Sequence, residues 1–360
     1  MHTVHVNLGP RSYDICLTSG DAAGFGPFAR NRVPKATVAL VVCDSQVEEH
    51  AASIAHSLRQ AGIRTGLATV PSGEQTKSVT RAMELYDHLA DLPADRNTLV
   101  VPVGGGVVGD LAGFAASTYN RGLPLVMVPT TLLAMVDSSV GGKVGVNHPK
   151  GKNLIGAFHQ PAGVWIEFDF LATLPDREFR SGLAEVVKYG VILDPELFAF
   201  LEHHADEILA RKTRHVEHIV ARSCRLKADV VEQDEREETG LRAILNYGHT
   251  FAHAFETVGG YGAWLHGEAV AAGMVCASKL AESRGLISHD VTQRQIALLK
   301  HFGLPTAPLS EWPAEKLIDI MRRDKKAVSG RMRFILPTRM GRVDLYDDVP
   351  ERLVRAALAP

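Results

Sequence analysis

The run Thr98-Leu-Val-Val-Pro-Val103 passes directly into Gly104-Gly-Gly106-Val-Val-Gly109-Asp110, and no other feature of the chain constrains its fold as strongly. A β-rich run that ends in glycines and is followed at once by a helical pattern, Leu111 to Ser117, is the strand-turn-helix of a parallel α/β domain. The glycines satisfy G-x-G-x-x-G. Amide groups of such a turn, together with the helix N-terminus, can cradle a pyrophosphate, and the missing side chains permit close approach. The same motif also describes an ordinary tight turn, so the rest of the chain must supply the case for a nucleotide.

Upstream, Val38 to Cys43 predicts a buried strand ending at Asp44, and Val47 to Gly62 a helix. A weaker strand, Thr65 to Val70, leads through Pro71-Ser-Gly-Glu74-Gln-Thr-Lys77 into a helix ending near Leu92. Leu125 to Thr131 predicts a further strand. The acid usually found about 20 residues beyond such a glycine turn is not obvious. Asp44, at the end of an earlier strand, can meet a ribose instead, which makes the expected domain Rossmann-like with a variant order. Next comes Asp137-Ser-Ser-Val-Gly-Gly-Lys143, then His148-Pro-Lys150-Gly-Lys152-Asn153. Gly145 to Lys152 has the look of a P-loop, but five residues separate Gly145 from Gly151, and Asn153 stands where Ser or Thr is required. An ATPase is excluded. The expectation is a flexible loop whose lysines suit an anionic substrate.

From Asp176 the pattern changes to amphipathic helices: Glu196 to Arg211, Thr213 to Gln233, Glu268 to Arg284 and Val291 to Phe302. A short β-like piece, Arg331 to Leu336, follows Asp324-Lys325-Lys326. With a helix-start signal at Leu174-Pro175, the chain divides into an α/β nucleotide-binding domain over 1–175 and a mainly α-helical domain over 176–360, with a cleft between them as the natural site. At 360 residues and 46% hydrophobic content there is enough chain for two cores. A net charge of −2 excludes nucleic-acid binding by bulk electrostatics. Cys16, Cys43, Cys224 and Cys276 form no C-x-x-C pair, and no apolar run reaches the roughly 20 residues that span a bilayer. The N-terminus carries no basic and apolar leader. A cytoplasmic protein is expected.

The second domain carries Asn246-Tyr-Gly-His249-Thr-Phe-Ala-His253-Ala-Phe-Glu256, followed by Leu265-His266-Gly267-Glu268. His249 and His253 are four apart and share a helical face, and His266 opens the next apolar run. A carboxylate to complete the set is available at Glu185, three residues before Lys188 on an apolar helical pattern where an unpaired acid is costly to bury. Two imidazoles and a carboxylate hold a zinc-like ion while leaving a position open, which is a catalytic arrangement. Spacing leaves open which of the three histidines are ligands. The zincin pattern is absent, because Thr250 follows His249, which argues against a metalloprotease.

Together the Gly104–Gly122 stretch, Val-Asp137-Ser-Ser-Val-Gly-Gly-Lys143, Gly-Lys152-Asn153-Leu-Ile-Gly-Ala-Phe-His and Leu-Asn246-Tyr-Gly-His249-Thr resemble the 3-dehydroquinate synthase family over nearly the whole chain. Ala252 replaces an expected Gly, and Val144 and Met135 replace commoner Thr and Gln, each beside a functional position. The resemblance implies metal ligands Glu185, His249 and His266, for zinc or cobalt. It implies NAD contacts from Asp44, Glu74, Lys77, Gly105, Gly106, Val107, Asp110, Thr130, Thr131, Lys152, Phe170, Leu171, Ala172 and Thr173. Substrate contacts are implied at Asp137, Lys143, Asn153, Lys188, Lys227, Arg242, Asn246 and one of Lys325 or Lys326. Arg121 is implied to reach in from the second subunit of a homodimer. Glu238 and His253 match proton acceptors.

The activity so implied converts 3-deoxy-D-arabino-heptulosonate 7-phosphate to 3-dehydroquinate and phosphate, a step of the shikimate pathway to aromatic amino acids. It proceeds by transient oxidation at C5, elimination of phosphate across C6 and C7, re-reduction, ring opening and aldol closure, so NAD is regenerated. A substrate carrying carboxylate and phosphate gives the lysines and arginines a purpose. Other sugar phosphate cyclases, the 2-deoxy-scyllo-inosose and 2-epi-5-epi-valiolone synthase types, share the plan. Lys227, Arg242 and Asn246 together favour a carboxylate-bearing substrate over theirs. A metal-dependent dehydrogenase of the glycerol type would release NADH, and a non-catalytic nucleotide-binding regulator would not need Glu185, His249 and His266.

Overall fold

The computed structural model describes residues 2–260, 262–323 and 332–359. The chain forms two compact units: Met1–Pro175 with Lys227–Arg236, and Asp176–Leu226 with Glu237–Pro360. In the first, the elements in chain order are β1 (His2–Val6), β2 (Tyr13–Thr18), α1 (Phe25–Arg32), β3 (Val38–Asp44), α2 (Glu48–Gln60), β4 (Arg64–Val70), α3 (Val79–Asp91), β5 (Leu99–Gly104), α4 (Gly106–Thr118), β6 (Val126–Pro129), β7 (Lys143–His148), β8 (Gly151–Phe158) and β9 (Gly163–Glu167).

Strands β3 and β5 are Val-rich and buried along almost their whole length, as strands covered on both faces must be. They sit inside a seven-stranded sheet of order β1-β2-β9-β6-β5-β3-β4, parallel except for the antiparallel edge pair β1 and β2. Counted from β3, the run β4-β3-β5-β6-β9 is the doubly wound order 2-1-3-4-5, whose crossing point lies between β3 and β5. That order explains the missing downstream acid: the glycine turn follows the third strand of the unit, not the first. Cys43 pairs with Val103, so Asp44 and Gly104 end neighbouring strands at the crossing point.

The stretch from Lys143 to Asn153, expected as a flexible loop, is instead part of the antiparallel hairpin β7–β8. Val144 and Val146 are buried, which pins β7 against α4. Three glycines, Gly145, Gly151 and Gly156, and the polar run Asn147 to Asn153 around the turn disguise the two strands as a loop.

The second unit contains α5 (Asp176–Ile192), α6 (Pro195–His203), α7 (Ala205–Leu209), α8 (Thr213–Gln233), α9 (His249–Gly259), α10 (His266–Ser283), α11 (His289–His301), α12 (Ala314–Arg323), the hairpin β10 (Phe334–Arg339) and β11 (Arg342–Tyr346), and α13 (Glu351–Ala357). The helix expected over Glu196 to Arg211 is broken at His204, whose φ of −120° and ψ of 25° interrupt it. Buried Leu197, Phe198, Leu201, Ala205 and Ile208 keep a helical period across the break, so the pattern does not record it. The end of α8 departs from a boundary at 175, because Lys227–Arg236 packs with the first unit. Lys325, Lys326 and Arg331 lie outside the described residues. Among the described residues, no helix is long and apolar enough to cross a membrane.

Candidate active site

Three helices of the second unit deliver one ligand-type side chain each. Glu185 lies mid-way along α5 with no exposure, while His249 and His266 are the first residues of α9 and α10. Two glycines allow this convergence. A Cβ on Gly267 would stand 1.9 Å from the Ser181 carbonyl oxygen of α5, and one on Gly273 would stand 2.3 Å from that of Gly248, just before α9. Any larger residue at either position would push the helix ends apart.

One ligand-type atom from each of Glu185, His249 and His266 lies within 4.8 Å of the others. His249 Nε2 is 3.7 Å and His266 Nε2 3.9 Å from Glu185 Oε1. The other ring nitrogens are engaged. His249 Nδ1 is 3.1 Å from the Tyr247 carbonyl, which makes it the protonated nitrogen and leaves the Nε2 lone pair toward Glu185. Tyr247 is itself buried, its hydroxyl 2.7 Å from Gln295 Oε1. His266 Nδ1 faces Glu256 Oε1 at 3.5 Å. The Lys188 ammonium stands against Glu185 Oε2, yet neither carboxylate oxygen has a hydrogen-bond partner of proper geometry. Burying a carboxylate in that state costs several kcal/mol, and a cation bound among these three groups offsets the cost. The donor set suits zinc or cobalt.

Around this cluster, the His253 ring centroid is 5.8 Å from that of His249 on the same helix. Arg242 is almost fully buried, its Nε 3.7 Å from Glu237 Oε1. Asn246 closes the short 3-10 turn Leu241–Asn246 and is partly buried, whereas Glu238 is exposed just before that turn.

In the first unit the glycine turn caps β5, and α4 begins at Gly106 with no side-chain cap on its amides. Gly105, Gly106 and Val107 are half-buried, and Thr130 and Thr131 follow the end of the neighbouring β6. The Thr130 hydroxyl is buried without a hydrogen-bond partner. An uncapped helix start, glycines and an unsatisfied hydroxyl fit a bound pyrophosphate. Lys77 pairs with Asp110 of α4, whose carboxyl burial pushes up while the Lys77 charge pulls it back. Glu74 accepts from the Asn147 amide, and Asp44 stays half-buried at the crossing point.

Phe170 to Thr173 lie in a 3-10 turn over Phe168–Thr173, with Phe170 and Leu171 buried and Ala172 and Thr173 exposed. His50 of α2 stacks on Phe170 at 4.3 Å, and its Nε2 is 2.8 Å from Thr173 Oγ1. Asp137 sits on a single π-turn, Ala134–Ser138, and Lys227 donates to both its carbonyl and its Oδ1 at 2.6 Å. Lys143 and Asn153 are exposed on the hairpin and Lys152 is half-buried. Asn153 holds φ at +55° and the exposed Arg121 at +67°, left-handed backbone that costs a non-glycine residue about 1–2 kcal/mol. Sequence reasoning did not single out Glu256, His50 or Asn147. Glu256 carries a signal, standing seven residues after His249 on the same helical face.

A doubly wound sheet and a helical unit with a two-histidine, one-carboxylate cluster define the class of the sugar phosphate cyclases. The chain is similar to the 2-deoxy-scyllo-inosose synthase solved with carbaglucose-6-phosphate, NAD+ and Co2+, with 25% identity, a TM-score of 0.89 and 99% of each chain covered. It is also similar to 2-epi-5-epi-valiolone synthase of Streptomyces hygroscopicus, solved with NAD+ and Zn2+, with 28% identity, a TM-score of 0.87, and 96% of this chain and 95% of that one covered. Residues 67–181 match the family model for the N-terminal part of 3-dehydroquinate synthase and residues 182–327 that for its C-terminal part. The 3-dehydroquinate synthase of Desulforamulus reducens is 48% identical over 360 residues, all of both chains. The chain belongs to the 3-dehydroquinate synthase family.

Proposed function

We propose that the chain converts 3-deoxy-D-arabino-heptulosonate 7-phosphate to 3-dehydroquinate and phosphate, as part of the shikimate pathway in the cytoplasm. The observation that carries this is the Glu185, His249 and His266 cluster, with each Nδ1 turned away and a buried carboxylate at its centre. When bound, the dinucleotide supplies reversible hydride transfer and the divalent metal supplies Lewis acidity at the C5 oxygen. Asp44, Glu74, Lys77, Gly105, Gly106, Val107, Asp110, Thr130, Thr131, Lys152 and the 170–173 turn hold the dinucleotide. Lys143, Asn153, Lys188, Lys227, Arg242 and Asn246 hold the substrate's anionic ends and fix which carbon faces the cofactor, with Asp137 holding Lys227 in place. Oxidation at C5 acidifies the C6 proton, which the substrate's own phosphate is placed to accept, and the basic groups then stabilise the leaving phosphate. His253, beside the metal cluster, moves a proton to or from the substrate oxygen, with Glu238 a second acceptor. Cys16, Cys43, Cys224 and Cys276 are buried and form no disulfide among the described residues, in keeping with a reducing compartment.

The experiment is to supply the heptulosonate phosphate to metal-loaded protein with NAD well below substrate. Release of many phosphates per NAD, with no accumulation of reduced nicotinamide, is expected. Accumulation of NADH without phosphate would make the protein a dehydrogenase. Turnover of sugar phosphates lacking a carboxylate, in preference to the heptulosonate, would place it with the other cyclases.

Arg121 serves the neighbouring subunit's site in a two-fold homodimer on this proposal, where its guanidinium suits a phosphate. Arg121→Ala and His249→Ala homodimers are each expected to be inactive. Re-associated at random they should recover about a quarter of wild-type activity, since about half the dimers are mixed and half the sites in those are intact. Verified heterodimers with no recovery would show that Arg121 acts within its own chain or not at all.

A further inference from the structure

On β7 the buried Val144 and Val146 face the core, and Asn147 follows them, half-buried. Its main-chain N–H donates to the Lys77 carbonyl at 2.8 Å. Its side-chain Nδ2 donates to Glu74 Oε1 at 2.7 Å, and its Oδ1 accepts from the Asn153 N–H at 2.9 Å. The amide's orientation is fixed by its partners, because an ionised carboxylate can only accept and a backbone N–H can only donate. One side chain therefore joins the Glu74–Lys77 loop to the residue of β8 that holds left-handed backbone at φ +55°. Lys77 extends the connection to Asp110 on the helix that begins at the glycine turn.

We propose that Asn147 is a positioning residue that couples occupancy of the dinucleotide loop to the setting of Asn153. The inference rests on the proposed function, in which Glu74 and Lys77 hold the dinucleotide and Asn153 meets the substrate. A ligand that orders Glu74 fixes the Asn147 amide, and the amide fixes the Asn153 N–H. Coupling of this kind is reciprocal, so ligands at the hairpin must tighten the dinucleotide by the same factor. The position needs donor and acceptor on one short planar group. Alanine has neither, and aspartate keeps the bond from Asn153 but sets a second carboxylate against Glu74. Glu74→Gln with Asn147→Asp exchanges the two roles, since the glutamine amide then donates to the aspartate.

The test is equilibrium titration of NAD into metal-loaded protein, with and without saturating 3-dehydroquinate and inorganic phosphate, the products of the proposed reaction. Wild type should bind NAD at least about 5-fold more tightly when the products are present. Asn147→Ala should weaken NAD by about 10-fold and bring that ratio close to one, and Asn147→Asp should do the same. Adding Glu74→Gln to Asn147→Asp should restore the ratio. Thermal melts identify any variant that fails to fold, and Asn147→Asp serves if Asn147→Ala does not fold. A folded Asn147 variant with the wild-type ratio would overturn the proposal. So would a wild type that binds NAD with no coupling. Wild type that does not bind NAD at all would overturn the proposed function and the coupling with it.

Discussion

In the first unit, charged groups of the candidate site are held against partners: Lys77 against Asp110, Lys227 against Asp137, and Glu74 against the Asn147 amide. In the second, Glu185 is fully buried with one ammonium beside it and two imidazole nitrogens turned toward it, and its oxygens lack proper hydrogen bonds. The difference is between charges that each have a polar partner in reach and a buried carboxylate without a proper hydrogen bond among metal-type ligand groups. Groups of the first kind give way in steps when one is removed, while a three-ligand cluster loses its ion when any member goes.

The sharpest break in this comparison is expected at the cluster. Glu185→Ala, His249→Ala and His266→Ala should each lower bound metal from about one per chain to near zero by elemental analysis, and abolish turnover. Undiminished metal in all three would remove the distinction between the two regions. His253→Ala, one helical turn from His249, should keep the metal and slow turnover by about 10²–10⁴-fold. Metal loss equal to that of His249→Ala would make His253 a ligand, and wild-type turnover would make it structural.

Removing one member of a pair in the first unit should cost stability without abolishing the fold. Lys77→Met leaves the Asp110 carboxylate without its partner and should destabilise the chain by about 2–3 kcal/mol, less than for a fully buried pair because Asp110 is partly exposed. Adding Asp110→Asn should recover part of that, as read from urea unfolding. An unchanged urea midpoint for Lys77→Met would show that the pair carries no stability.

The smallest effect belongs to His50, whose pKa burial lowers from its ordinary value of 6.5. Below that value the unfolded chain takes up the proton more readily than the folded one, so stability falls as pH drops from 6.5 through the folded pKa. His50→Phe keeps the stacking on Phe170 and should flatten that part of the pH–stability curve. A curve of unchanged slope would assign the acid sensitivity to other groups.

Much of this was legible in the chain. The strand-to-glycine junction at Val103 and Gly104 and the Val-rich β3 marked a parallel sheet, because strands covered on both faces must be apolar throughout. The change at Asp176 marked a helical unit. Hairpin β7–β8 was hidden by its glycines and by the polar run around its turn, and the break at His204 by an apolar period that runs straight through it. At the site, the histidine spacing and Glu185 point to a metal-type cluster from the sequence alone. Which ring nitrogen each histidine presents depends on the Tyr247 carbonyl and Glu256, and the positions of these groups follow from folding, not from spacing. Asn147 was illegible for the same reason: its partners Glu74 and Asn153 lie on separate segments that the fold brings together.

On the proposed function, dinucleotide and metal act on one carbon of the substrate, C5. The direct test is a reaction with heptulosonate phosphate carrying deuterium at C5, with NAD in catalytic amount. Mass spectrometry should find the label retained in the 3-dehydroquinate formed, with one phosphate released per product. Label lost from the product and recovered in reduced nicotinamide would contradict it.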